Sequence, residues 1–273
     1  MTDLTATLLA PPTRVEPSCW QAALDEARAA LAGLAVRRPG TGPFRITEHE
    51  IRLALSPAGS PAGAGPGSEA AFAWSARTAR RALGLAAIRL LLDGGARSPL
   101  EAVRARLHES ERWVSEGSAC ASQLDRWIAG LSAAGRGAAA ADAVTWTTRL
   151  WCALDWAAFD AAPVVGRDRW WDSPHSALLA LRGRAEVRCA GGHLVVLQGR
   201  RRDSVRSELA LVALVEALRS RSAAPPGRVV GWWPDSGHLV RLEPEPGVLR
   251  LATDAVSLVL AGGVIAPAVR AAA

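Results

Sequence analysis

Glu186, Gln198 and Arg200 are the residues of this chain whose types and spacing could do chemistry. Glu186 stands in Gly183-Arg184-Ala185-Glu186-Val187, and twelve positions later Gln198-Gly199-Arg200 closes the apolar run Leu194-Val195-Val196-Leu197. The two segments read as strands at about 177–188 and 193–198. A carboxylate and an amide at neighbouring strand ends offer oxygens of the kind a hard divalent cation takes, and a residue one alternation beyond shares their face, where a guanidinium can grip phosphate. The alternative is a plain hairpin with Glu186 on a solvated face.

Charge is gathered around these residues. The formal net charge is +6, and every one of the 32 basic residues is arginine. Between 182 and 206 there are seven arginines, Arg182, Arg184, Arg188, Arg200, Arg201, Arg202 and Arg206, against Glu186 and Asp203, a surplus of five. Clustered basic groups give a nucleic-acid binder its salt-dependent, sequence-independent affinity, which makes Arg184, Arg188, Arg201, Arg202 and Arg206 candidates for phosphate contact. The other reading is a solvated arginine loop in a chain rich in arginine throughout. Eleven Trp stand against no Tyr, and they read as core and interface anchors rather than a stacking platform.

These residues must be positioned by a chain of 273 residues, half of it apolar, enough for one large domain or two modest ones. Residues 1–16 read as a loose tail. Cys19 to Leu34 carries apolar residues at helical spacing, and Thr47 with Glu50 forms a capping box for a short helix through Leu55. Ser56 to Ser68 is an uncharged Pro/Gly/Ala/Ser loop. Helices are expected at about 72–92, 99–116, 120–133 and 138–159, with breaks at Asp93-Gly94-Gly95, near Gly117 and at Gly135-Arg136-Gly137. After Pro163 the pattern turns to strands: the two above, a helix from Ser204 to Arg219, Arg228–Trp233 and His238–Glu243 joined by the turn Pro234-Asp235-Ser236-Gly237, and a last helix over Thr253 to Leu260. The division expected is therefore 1–16, 17–162 helical, and 163–273 mixed.

The motif resembles the metal site of the PD-(D/E)xK nuclease superfamily, in particular its RecB-like and Mrr-like branches. There an acidic residue closes one strand and the next ends in Asp-x-Lys, Glu-x-Lys or Gln-x-Lys. The resemblance implies an α+β fold, a helical N-terminal region followed by a mixed-sheet, restriction-endonuclease-like core, and the order strand, strand, helix, strand, strand after Pro163 agrees with the second half of such a core. It implies Glu186 and Gln198 as ligands of Mg²⁺ or Mn²⁺, and Arg200 in the place of the family's lysine. It implies Glu208 as an accessory residue where RecB-like relatives carry Gln. Arginine stays protonated and cannot act as a compact point charge or lose its proton, so the site reads as degenerate.

A further carboxylate from the helical region would complete the metal set. Asp142, Asp155, Asp160 and Glu109 are candidates, with His108 as a histidine alternative. No other histidine has ligand spacing, and Cys19, Cys120, Cys152 and Cys189 form no Cys-x-x-Cys pair, which argues against a zinc ribbon or an iron–sulfur clasp and for packing in a reducing cytoplasm. Arg167-Asp168-Arg169-Trp170-Trp171-Asp172 is expected to pin a loop at the junction of the two regions. With no leader-like segment and no membrane-length apolar run, a cytoplasmic protein is expected. The function implied is DNA binding by a weak or inactivated nuclease subunit of a defence or repair complex. The rival is a non-catalytic scaffold partnering a helicase or nuclease.

Overall fold

The computed structural model describes residues 3–11, 13–36, 44–56, 74–174, 179–220 and 225–261. The chain runs α1 (Leu4–Leu9), α2 (Pro17–Val36), β1 (Phe44–Ile46) and α3 (Glu48–Ala54). Then come α4 (Ala76–Leu92), α5 (Pro99–Ser115), α6 (Gln123–Ala129) and α7 (Ala133–Ala153), followed by a 3-10 turn at Trp156–Ala158. The remainder is β2 (Val164–Val165), β3 (Arg169–Asp172), β4 (Leu179–Gly183), β5 (Val187–Arg188), β6 (Gly192–Val196), α8 (Val205–Arg219), β7 (Arg228–Trp233), β8 (His238–Leu242) and α9 (Pro246–Leu260). The fold is mixed α/β. Among the described residues no helix is long and apolar enough to cross a membrane.

Two compact units divide the chain, one of Ala6–Glu69 with Ala161–Ala273, the other of Asp3–Thr5 with Ala70–Asp160. The helices α2 and α3 therefore belong with the sheets and not with the helical region expected over 17–162. Their apolar faces explain this, since Trp20, Leu24, Leu31 and Ile51 are buried in one core with strand residues Leu181 and Val195. Nor is the segment 1–16 a loose tail throughout: Leu8 is fully buried, and the Arg228 guanidinium donates to the carbonyls of Thr7 at 2.8 Å and Pro11 at 2.7 Å. Beyond Ser56, the expected Ser56–Ser68 loop lies outside the described residues.

In the helical unit, Ser75, Ser98, Ser122 and Ser132 each cap a helix by accepting the amide three residues on, which satisfies a donor the first turn leaves over. The cap at Ser132 starts α7 ahead of Gly135-Arg136-Gly137, so the expected break is the first turn of a helix. Asp125, fully buried, joins α5 to α6 by accepting from Arg106 at 2.6 Å and Ser110 at 2.7 Å.

The other unit holds two mixed sheets. One has the order β1-β4-β3, with β1 parallel and β3 antiparallel to β4; the other has the order β2-β5-β6-β7-β8, in which only β6 and β7 are parallel. Helix α8 makes the crossover that a parallel pair requires. It packs against β3 and β4 of one sheet, β7 and β8 of the other, and α9. Only Arg206 and Arg219 of its fifteen residues escape burial, as expected of a helix that is Leu, Val and Ala nearly all round.

The strand expected over 177–188 is two strands in different sheets. Between them the chain bends at Arg184-Ala185-Glu186, and the carbonyls that leave the ladder are met by Arg188. Its guanidinium donates to the carbonyl oxygens of Gly183 at 2.8 Å, Ala185 at 3.2 Å and Arg167. Likewise Arg169–Asp172 is a strand, not a loop, with the Trp170 ring 5.7 Å from the Arg182 guanidinium.

Candidate functional site

Three segments carry the expected residues and their partners. The first is α3, begun by the capping box that Thr47 and Glu50 predict: His49 N–H donates to the Thr47 hydroxyl at 3.1 Å and Thr47 N–H to Glu50 at 2.8 Å. This fixes the first turn and with it Glu48. Arg52, four residues on, lies on the same side of the helix.

The second segment is the bend between β4 and β5. Glu186 is fully buried there. Its Oε1 takes both Nε and Nη2 of Arg184 at 3.1 Å, and its Oε2 takes the Val196 amide at 2.7 Å. The side chain thus extends the short β5–β6 ladder, since Val196 lies past the end of the two-residue β5. Arg184 also turns its main-chain amide to Glu48 Oε1 at 2.8 Å, while Arg182 lies 3.5 Å from Glu48 Oε2. Burial pushes the Glu48 carboxyl above the ordinary carboxylate range against the pull of Arg182 and Arg184.

The third segment is the turn from β6 into α8. Strand β6 ends at Val196, and Gly199 adopts φ +77°, left-handed backbone that glycine takes without penalty. The strict alternation that would keep Gln198 and Arg200 on one face stops at that glycine. Gln198 is half-buried and its carbonyl accepts from Arg202 Nη1 at 3.2 Å. Arg202 is bound in turn to Glu208, and Glu208 further accepts from the Ser204 hydroxyl at 2.7 Å and from Arg52 at 2.9 Å. Burial would raise the Glu208 carboxyl, but the hydrogen bonds of Arg202, Arg52 and Ser204 outweigh it and hold it below its ordinary value.

A chain of contacts runs from Glu186 to Arg184, from the Arg184 amide to Glu48, along α3 to Arg52, and on through Glu208 and Arg202 to the main-chain carbonyl of Gln198; Arg200, Arg201 and Arg206 have no place in it. Glu48 is the residue that sequence reasoning missed. The capping box located its helix, but a first-turn acid reads as a surface residue favoured by the helix dipole. Its partners lie 134 and 136 positions away. The acids weighed in its place belong to the helical unit and serve there, Asp155 capping the 3-10 turn and Glu109 lying 3.8 Å from Arg106.

Of the candidate phosphate-binding arginines, Arg188 is excluded from the surface. It is buried, and besides the carbonyls at the bend it holds Glu216 at 2.8 Å. Arg184 and Arg202 are spent on carboxylates, as above. Arg200, Arg201 and Arg206 are exposed.

As they stand, the residues do not suit Mg²⁺ or Mn²⁺. A hard cation needs open carboxylate oxygens, whereas those of Glu186 face a guanidinium and an amide, and those of Glu48 face an amide and a second guanidinium. Among the described residues no group of three or more His, Cys, Asp or Glu is arranged to hold a metal. Comparison of the chain with models of protein families, with curated proteins and with solved structures found no match.

Proposed function

We propose that this chain binds DNA, on the plan of a PD-(D/E)xK nuclease whose metal ligands have been taken over by arginine. Support for the plan comes from the order of β5, β6, α8 and β7, a hairpin followed by a crossover helix and a parallel strand, and from the ties of α3 to Arg184, the partner of Glu186, and to Glu208. Support for binding comes from one observation above the rest. Arg200, Arg201 and Arg206 stand exposed around the β6–α8 turn, with no ion-pair partner among the described residues, while Glu48, Glu186 and Glu208 are each paired with other arginines. Three guanidinium forks against the lone exposed Asp203 leave a local positive charge suited to backbone phosphate.

Binding of this kind has little sequence preference and weakens steeply with salt, because each phosphate contact releases condensed counterions. The test is fluorescence anisotropy of labelled duplex and single strand at two salt concentrations, with Arg200→Glu, Arg201→Glu and Arg206→Glu combined. Loss of binding in the variant, and a wild-type salt slope near −0.9 for each phosphate engaged on duplex, are expected. Wild-type protein that binds neither form at low salt would favour a scaffold for a protein partner instead.

A further inference from the structure

We infer that Arg52, Arg202 and Ser204 form a binding site for a phosphate-class oxyanion, and that the carboxylate of Glu208 is its tethered occupant. The argument is geometric. The donors come from three stretches of chain, α3, the β6–α8 turn and the head of α8, and they converge on one carboxylate. Arg202 sets Nε 2.7 Å from Oε1 and Nη2 2.6 Å from Oε2, the two-nitrogen edge with which arginine also takes phosphate. Arg52 sets Nη2 2.9 Å from Oε2, and the Ser204 hydroxyl donates to Oε1 at 2.7 Å. The Nε of Arg52 is left between the two oxygens, 3.3 Å from each.

The donors outnumber what their occupant can accept. Five donor groups face a carboxylate with about four lone-pair positions, and two positive charges face one negative. A phosphate or sulfate brings a third oxygen for the shared Nε. The forks are also within reach of solvent, since Arg52 and Arg202 are only partly buried, and Nη1 of Arg52 makes no hydrogen bond among the described residues. Nη1 of Arg202 is tied to the Gln198 carbonyl, which holds that fork in place without Glu208. Glu216 draws two arginines as well, but there Arg188 is buried and committed to main-chain carbonyls, so that cluster is closed to a ligand.

Glu208 is part of α8 and needs no recruitment from solution, so it excludes a free anion from the wild type. Glu208→Ala removes the occupant and leaves the donors. Inorganic phosphate is the probe, read by titration calorimetry and by thermal unfolding in phosphate against chloride of equal ionic strength. Wild type is expected to show no saturable response. Glu208→Ala should melt lower in chloride, recover with phosphate in a saturable way, and bind it at least about tenfold tighter than wild type. Arg52→Ala with Glu208→Ala should lose the response, which a general exclusion of phosphate from protein surfaces would not produce. If Glu208→Ala does not fold in chloride, refolding from urea titrated with phosphate takes the place of the melt. Wild type that binds phosphate as tightly as the variant overturns the inference, and so does a Glu208→Ala protein that ignores phosphate in calorimetry and in folding. The inference uses none of Arg200, Arg201 and Arg206, so it and the DNA-binding proposal fail independently. Duplex added to the phosphate-loaded variant separates the two sources of the ligand: release of phosphate assigns the site to the nucleic-acid backbone, and retention assigns it to a free phosphate.

Discussion

Arg202 and Glu208 meet in a two-pronged ion pair, Nε at 2.7 Å from one carboxylate oxygen and Nη2 at 2.6 Å from the other. The pair folds the β6–α8 turn back onto the first turns of α8, and through Arg52 it ties that turn to α3. Ser204, the residue at the head of α8, makes no cap bond of its own and donates to Glu208 instead. Glu208 thus does the work of an N-terminal anchor from one turn inside the helix.

Glu208→Ala should cost about 2 kcal/mol. The carboxylate is 3% exposed and breaking a buried pair is expensive, but Arg202 and Arg52 are 20% and 37% exposed and recover part of the loss by rehydration. Chemical denaturation of the single variants and of Arg202→Ala with Glu208→Ala measures the coupling, expected at about 1 kcal/mol. The pH dependence has a fixed sign. Because the folded-state carboxyl lies below its ordinary value, the stabilisation is complete above that ordinary value and disappears as pH falls through the lowered one. A coupling that persists under strong acid would be inconsistent with an ion pair.

Arg188 gives the second prediction. Arg188 and Glu216 are 3% and 4% exposed, and Arg188→Ala should cost about 3–5 kcal/mol by leaving a buried carboxylate with Arg169 alone. Replacing both, Arg188→Met with Glu216→Leu, usually restores such a pair's stability. Here it should not do so fully, since the carbonyls of Gly183 and Ala185 still lose their donor, at about 1–3 kcal/mol for an unmet buried group. Urea midpoints decide this. Full recovery would mean that the bend does not depend on Arg188.

How much of this was legible follows from the range of the interactions. The capping box at Thr47 and Glu50, α8, and the hairpin about Pro234-Asp235-Ser236-Gly237 were readable because each is set by residues a few positions apart. The break of 177–188 into two strands was not. Nothing local marks Arg184-Ala185-Glu186 as a bend, and what stabilises it is an arginine after it, held by a glutamate of α8 28 positions further on. The site was half legible for the same reason. Glu186 and Glu208 were singled out by motif, whereas Glu48 is defined only by partners in β4 and the bend after it. The burial of Arg188 also depends on tertiary contacts, so seven clustered arginines overstated the phosphate-binding surface.

His193 supplies a prediction about pH. It sits in β6 two residues before Val195, on the face that meets α8, and neither ring nitrogen has a hydrogen-bond partner among the described residues. Burial, opposed by Glu216 and assisted by Arg188 and Arg169, lowers it from 6.5 to about 4. The unfolded chain therefore takes the proton first. Stability should be complete above the ordinary value and fall between pH 6.5 and about 4 by up to about 3 kcal/mol. His193→Leu should flatten that part of the stability profile, measured as urea midpoints across this range. An unchanged profile in the variant would assign the acid sensitivity to other groups.

The last prediction concerns hydrolysis. Purified protein should not cleave duplex or single-stranded DNA with Mg²⁺ or Mn²⁺, and Arg200→Lys should not change that. A lysine at position 200 would not stand where a PD-(D/E)xK site holds one, because Gly199 at φ +77° takes the chain out of strand alternation and Arg200 is exposed. It also does nothing for the carboxylates, which remain committed to Arg184, Arg182 and the Val196 amide. A hydrolytic site needs the cation held and the phosphate polarised together, so a change at position 200 alone supplies neither. Plasmid nicking and release of labelled nucleotide over a range of metal concentrations give the readout. Cleavage by wild type that Glu186→Ala abolishes would mean that the Arg184 guanidinium yields to metal when substrate is present. Cleavage indifferent to Glu186→Ala would come from another centre or from a contaminant.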